Sequence, residues 1–269
     1  MPSHLSIFTG LYPSKHGLNR AFGYNQSLAE PSIETLAETL SDAGYYTAAI
    51  ASDHSLDPLY GFDKGFDSFL NVTTRDVQEL LPHFHTFLER HQQDQFFLFL
   101  HTYDPHGSLF RNEGLEHLER GRFGDIVTYS DVGSLGETSD TEKHYLKSLY
   151  QNHVAYFDHY FGEMLEALKR YDLYDDAIIV FTSDHGEELL ERSAYLHGHS
   201  LHSEVLRVPL LIKFPNGQWP RVTDALTGTI DIFPTLAEYL ELPLPKDIDG
   251  KSTIPVLKGD SRSHRRILL

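Results

Sequence analysis

The sequence contains no cysteine, is poor in basic residues and has no long apolar run. Without cysteine there can be no disulfide and no thiol nucleophile within these residues. Lysine and arginine number 22 against 39 aspartates and glutamates, a formal net charge of −17. A chain this acidic does not hold nucleic acid or an anionic membrane through bulk electrostatics. If it handles anions, positive charge must be placed locally, and a metal ion supplies that most compactly. The longest apolar run, FFLFL at 96–100, suits a buried strand and falls far short of the ~20 residues of a membrane span. No internal repeat or low-complexity linker divides the chain. What is present suits a core: 40% hydrophobic and 12% aromatic residues over 269 positions, enough for one large α/β domain and unlike a disordered chain.

Helical and strand patterns alternate along the chain. In PSIETLAETLSDAG, Ile33, Leu36, Ala37 and Leu40 recur at helical spacing, with Pro31 ahead and Gly44 behind as a C-cap. YYTAAI at 45–50 reads as a strand. Residues 75–92 read as a helix that Pro82 kinks or restarts. QFFLFLH is continuous and apolar, as a strand buried on both faces should be. Leu146, Leu149, His153, Phe157, Tyr160, Met164 and Leu168 step by three and four, the clearest helix, over about 141–170. DAIIVFTS at 176–183 and PLLIKFP at 209–215 are further buried strands, and DIFPTLAEYLEL is a helix with Pro234 early in it. The polar, Gly-rich stretch 107–140 reads as a lid or excursion. These patterns predict an α/β fold with a mostly parallel central sheet and helices on both faces. In such sheets ligands bind beyond the carboxyl ends of strands. That places function in two loops, HTYDPHG and SDHGEE.

The second loop offers Asp184 and His185 at a strand end, with Gly186 allowing a sharp turn. A carboxylate beside an imidazole suits a divalent ion such as Zn, Mn or Ca. Farther on, His197, His199 and His202 lie within six positions. Histidines so clustered can ligate metal, protonate a leaving group or bind an oxyanion. The first loop supplies His101, Asp104 and His106, with Pro105 fixing the turn. His106 is the candidate leaving-group acid or oxyanion ligand, and Asp104 a group that orients it.

In order, these pieces resemble the sulfatase branch of the alkaline-phosphatase superfamily. That family carries Cys/Ser-x-Pro-Ser-Arg followed by Thr-Gly; here the chain reads Met1-Pro2-Ser3-His4, then Thr9-Gly10. Asp104-Pro105-His106 matches the family's Asp-Pro-His, and Ser183 through Glu187 its Ser-Asp-His/Asn-Gly-Glu metal loop. GHSLHSEVLRVPLLIKFP and TIDIFPTLAEYLELPLP resemble its later segments.

The resemblance implies a two-step displacement of a sulfuric ester with a divalent metal, calcium by family habit and Mn or Zn by the His ligand. It implies Asp184 and His185 at the metal. It implies His106 with His197 or His199 at the substrate oxygens or leaving group. The substrate would be a small-molecule or carbohydrate sulfate or phosphate ester. It sets the family nucleophile immediately ahead of Met1 and a first strand farther upstream. The chain is therefore expected to be one incomplete sulfatase-like domain over 1–269, continuing past RRILL and inactive as it stands. Two departures matter. His4 replaces the Arg of the formylglycine motif, which favours a phosphodiesterase, phosphonate hydrolase or phosphoethanolamine-type transferase as the alternative. Ala51-Ser52-Asp53-His54 stands where many sulfatases have Gly-Lys-x-His, with His54 as a substitute ligand. The remaining alternative is a non-catalytic pseudoenzyme or binding module.

Overall fold

The computed structural model describes residues 2–18, 32–52, 56–106, 138–192, 194–261 and 264–265. His54 and nearly all of the 107–140 excursion lie outside the described residues. Strand β1 (Tyr46–Ser52) pairs in parallel with β2 (Ser68–Val72) on one side and β3 (Phe96–His101) on the other; Ile50 stands opposite Leu70 and Leu100. A second ladder joins β4 (Ile179–Thr182) to β7 (Leu210–Lys213), antiparallel, with Thr182 opposite Leu210. Between these two in sequence, β5 (Glu188–Leu189) and β6 (Tyr195–Leu196) make a small antiparallel pair. The architecture is α/β with a parallel sheet, as expected; the β4–β7 pair is its antiparallel component.

Strand alternation divides the core into two helical layers. Phe96, Leu98 and Leu100 face a cluster built from Ala48, Ile50, the helix Val77–His91 and the long helix Asp140–Arg170. Phe97 faces the opposite layer, where Ile7, Leu36, Leu40, Ile232, Phe233 and Leu236 also receive Val180 of β4. Those residues belong to the helices Pro2–Thr9, Leu36–Asp42 and Ile232–Tyr239. Thus β3 and β4 share helical neighbours, although no strand pairing joins them among the described residues.

Local chemistry sets the helix ends. The long helix starts at a capping box: the Ser139 side chain accepts the Glu142 amide, and the Glu142 carboxylate accepts the Ser139 amide at 2.8 Å. Asp140 and Glu142 open it while Lys169 and Arg170 close it, matching the helix dipole. Thr35 and Glu38 form the same box for Leu36–Asp42, so that helix begins later than Pro31 suggests. The helix Val77–His91 runs through Pro82 as one element, so of the kink or restart expected there the restart does not occur; Asp76 caps it through the Gln78 amide. Among the described residues no helix is long and apolar enough to cross a membrane.

One expectation needs qualification. β1 is buried from Thr47 to Ser52, yet β3 and β4 are only half-buried along their whole lengths. β3 is the edge of its sheet, and β4 pairs only with β7 among the described residues. An apolar sequence sets the tendency to be covered; strand partners decide how far it is met.

Candidate active site

The loop after β3 is anchored from below. Asp104 is buried; one carboxylate oxygen accepts the Val77 amide at 2.6 Å and the other lies 2.5 Å from Nε2 of His153 on the long helix. The pair is closed to solvent on both sides, with side chains 4% and 2% exposed. Asp104 therefore anchors the loop to the long helix through a partner 49 positions away, where the sequence reading had it orient His106. His106 stands at the loop's tip beside Tyr103, whose hydroxyl lies 3.4 Å from His106 Nε2. The Arg75 guanidinium covers the other side of the Tyr103 ring at 4.5 Å.

The loop after β4 turns on Ser183, whose hydroxyl donates to the His185 carbonyl at 2.6 Å. Gly186 is required here by close approach: a Cβ would stand 2.0 Å from the Glu204 carbonyl oxygen. Its φ is not left-handed, so the sharp-turn argument is replaced by a packing one. Asp184 Oδ2 lies 3.5 Å from His185 Nε2 and 3.4 Å from Nδ1 of His4. His4 is buried on the first helix, edge-on to His101 with ring centroids 5.0 Å apart.

The loops meet through three imidazoles. His185 and His197 have ring centroids 3.8 Å apart, and His106 is 5.1 Å from His197 and 6.2 Å from His185. One ligand nitrogen from each falls within 4.8 Å of the other two. His197 is held by Glu187, whose carboxylate oxygens lie 3.0 and 3.1 Å from Nδ1. His199 turns instead to the fully buried Glu188, 2.9 Å from its Nε2, which also accepts the Ser200 hydroxyl. His202 is exposed and ends at the short helix Ser203–Leu206. Sequence reasoning gave no individual role to His153, Glu187 or Glu188. The two glutamates follow Gly186 directly, in a strand–turn–strand whose far side carries the histidines. That pairing was the available signal.

Burial holds the His106 imidazole down to about 4, so it is neutral at pH 7. The hydrogen bond to Glu187 raises His197. Burial opposes ionisation of Asp184, but His4 and His185 beside it bring its carboxyl to about 2. Burial lowers His4 to about 3, leaving it uncharged at neutral pH. The donor set around Asp184 is one carboxylate among imidazoles. That chemistry fits a divalent d-block ion such as Zn or Mn better than the six to eight oxygens calcium takes.

Comparison with known proteins matches this geometry to a family. A family model described as Sulfatase matches residues 1–242. An endo-4-O-sulfatase of Bacteroides thetaiotaomicron is 34% identical over 105 residues, covering 38% of this chain and 21% of that protein. A choline-sulfatase of Rhizobium meliloti is 25% identical over 333 residues, covering 97% of this chain and 63% of that one. The fold resembles the phosphonate monoester hydrolase of Silicibacter pomeroyi with a TM-score of 0.76 at 19% identity, over 100% of this chain and 68% of that one. The chain thus spans less than two thirds of the length of these curated relatives. Matched over most of its residues and in the same motif order, the chain belongs to the sulfatase family.

Proposed function

We propose that this chain forms the greater part of a sulfuric ester hydrolase that works with a divalent metal. The observation that carries the reading is convergence. Asp184 and His185 from one loop, His106 from another and His197 from a third segment meet at the strand ends where α/β proteins bind ligands. The names of the sulfatase relatives support a sulfate ester as substrate.

In this reading Asp184 and His185 hold the cation, and the donor chemistry supports Mn or Zn over calcium. When bound, the ion withdraws charge from the ester oxygens. His106, neutral at pH 7, donates a hydrogen bond to a non-bridging oxygen. His197, kept basic by Glu187, carries the proton that the departing alcohol takes. His199 is tied to Glu188 instead, 2.9 Å from its Nε2, and takes no part in this step.

A second reading is phosphonate or phosphodiester hydrolysis. His4 in place of the motif arginine favours it, as does the fold's likeness to a phosphonate monoester hydrolase. Parallel assays with aryl sulfate and aryl phosphonate, using the chain extended upstream through the nucleophile, decide between them. Sulfate hydrolysis lost in Asp184→Ala supports the first reading. Turnover of the phosphonate alone overturns it in favour of the second.

A further inference from the structure

We infer that Tyr103 is a positioning residue for His106: its hydroxyl donates to Nε2, which leaves the ring proton on Nδ1 and makes Nδ1–H the group that meets the ester. The part played by the ester rests on the proposed function; the hold of Tyr103 on the ring is independent of it.

A neutral imidazole carries one ring proton, and the hydrogen bond made by one nitrogen decides where that proton sits. The two nitrogens of His106 stand in different surroundings. Nε2 lies 3.4 Å from the Tyr103 hydroxyl, and the two rings pack with centroids 4.3 Å apart at 30°. Nδ1 is buried and has no hydrogen-bond partner among the described residues.

Arg75 sets the direction of the bond between the rings. Its guanidinium lies over the Tyr103 ring, 4.5 Å from the centroid. A cation held on the face of a phenol favours the form with charge on oxygen, so the O–H becomes a stronger donor and the oxygen a poorer acceptor. With that O–H given to Nε2, Nδ1 carries the hydrogen. A buried N–H without a partner is costly until something accepts from it. A negatively charged ester oxygen supplies the acceptor and makes the bond charge-assisted. A protonated Nδ1 offers no lone pair, so at this atom His106 meets an anion and not a cation.

The test is long-range proton–nitrogen NMR of the 269-residue chain carrying ¹⁵N-histidine at pH 7, with His106 assigned by its loss in His106→Gln. The nitrogen shifts of a neutral imidazole report which atom is protonated. The unaltered chain should show Nδ1–H at His106. Tyr103→Phe keeps the stacked ring and removes only the hydroxyl. The ratio of Nδ1–H to Nε2–H should then fall roughly fivefold, the equivalent of one net hydrogen bond. Arg75→Gln should move the ratio the same way by less. Millimolar 4-nitrophenyl sulfate should shift the Nδ1 resonance more than that of Nε2. A ring protonated at Nε2 in the unaltered chain overturns the inference, and this result needs no variant to fold. An unchanged ratio in Tyr103→Phe overturns it as well. If the tautomer behaves as expected but ignores the ester, the ester reading fails and the hold of Tyr103 on His106 stands.

Discussion

β1, its neighbour β3 and the separately paired β4 are written in nearly the same apolar alphabet, but they end in different environments. β1 is covered along six consecutive residues, whereas β3 and β4 stay half-buried throughout. All three have helices on their faces. Among the described residues, only β1 of the three has a strand on each side. In an α/β layer the faces are closed by helices and the edges by other strands, and an unpaired edge leaves both backbone groups and side-chain margins open.

The largest expected effect comes from adding chain upstream. Extension by roughly 40–60 residues, about one strand–loop unit, should slow amide exchange in β3 and β4 towards that of β1. It should also raise aryl ester turnover by several orders of magnitude, the usual effect of supplying a nucleophile. The 269-residue chain alone should show background turnover. Robust hydrolysis by the unextended chain would place the nucleophile within these residues.

Next in size is the buried pair beneath the loop. His153→Ala leaves the Asp104 carboxylate buried without its partner and should cost about 3–5 kcal/mol in urea denaturation. The solvent-screened Lys169–Glu166 pair on the same helix should cost little when Lys169 is changed to Ala. Equal losses would mean that burial does not separate the two.

The strands themselves give a direct contrast. Ile50→Ala, at a site 4% exposed in β1, should cost about 2–5 kcal/mol. Val180→Ala in half-buried β4 should cost about half as much, since less area leaves water on folding. A Val180 loss matching that of Ile50 would show that β4 is as fully packed as β1 in solution.

The last contrast is in acid, where the loss is spread over several pH units. His4 titrates near 3 when folded and near 6.5 when unfolded, so the unfolded chain binds more protons between those values. Stability from this group is therefore full above about 6.5 and is lost as pH falls towards 3. At roughly 1.4 kcal/mol per unit the sum is a few kcal/mol. His4→Gln should flatten the stability profile between pH 6.5 and 4 in thermal melts. An unchanged slope would assign the acid sensitivity to other groups.

Much of this was readable in the sequence, for identifiable reasons. The long helix declared itself because seven residues keep its period, and the order of the motifs pointed to the sulfatase fold. The meeting of Asp184 and His185 with His106 was legible because both of their loops follow apolar strands. Three matters were not. Half-burial of β3 depends on neighbours that no local pattern encodes. The Asp104–His153 pair links residues 49 positions apart, and His153 sat within a helical stripe where a core residue was expected. The choice between His197 and His199 is made by adjacent glutamates, Glu187 just before β5 and Glu188 in it, which select different rings only once the hairpin is formed.

The 31-residue helix Asp140–Arg170 extends about 46 Å at 1.5 Å per residue. His153 on it fixes the loop bearing His106, and Phe157 and Phe161, one and two turns on, press against Phe181 just ahead of the loop bearing Asp184. One rigid rod therefore serves as the gauge against which both halves of the site are set. Sliding the rod by a single residue would misplace each loop by about 1.5 Å relative to the strands, more than a ligand bond or a proton transfer tolerates. Calibration of the site is thus stored in a helix whose own side chains stay outside the chemistry.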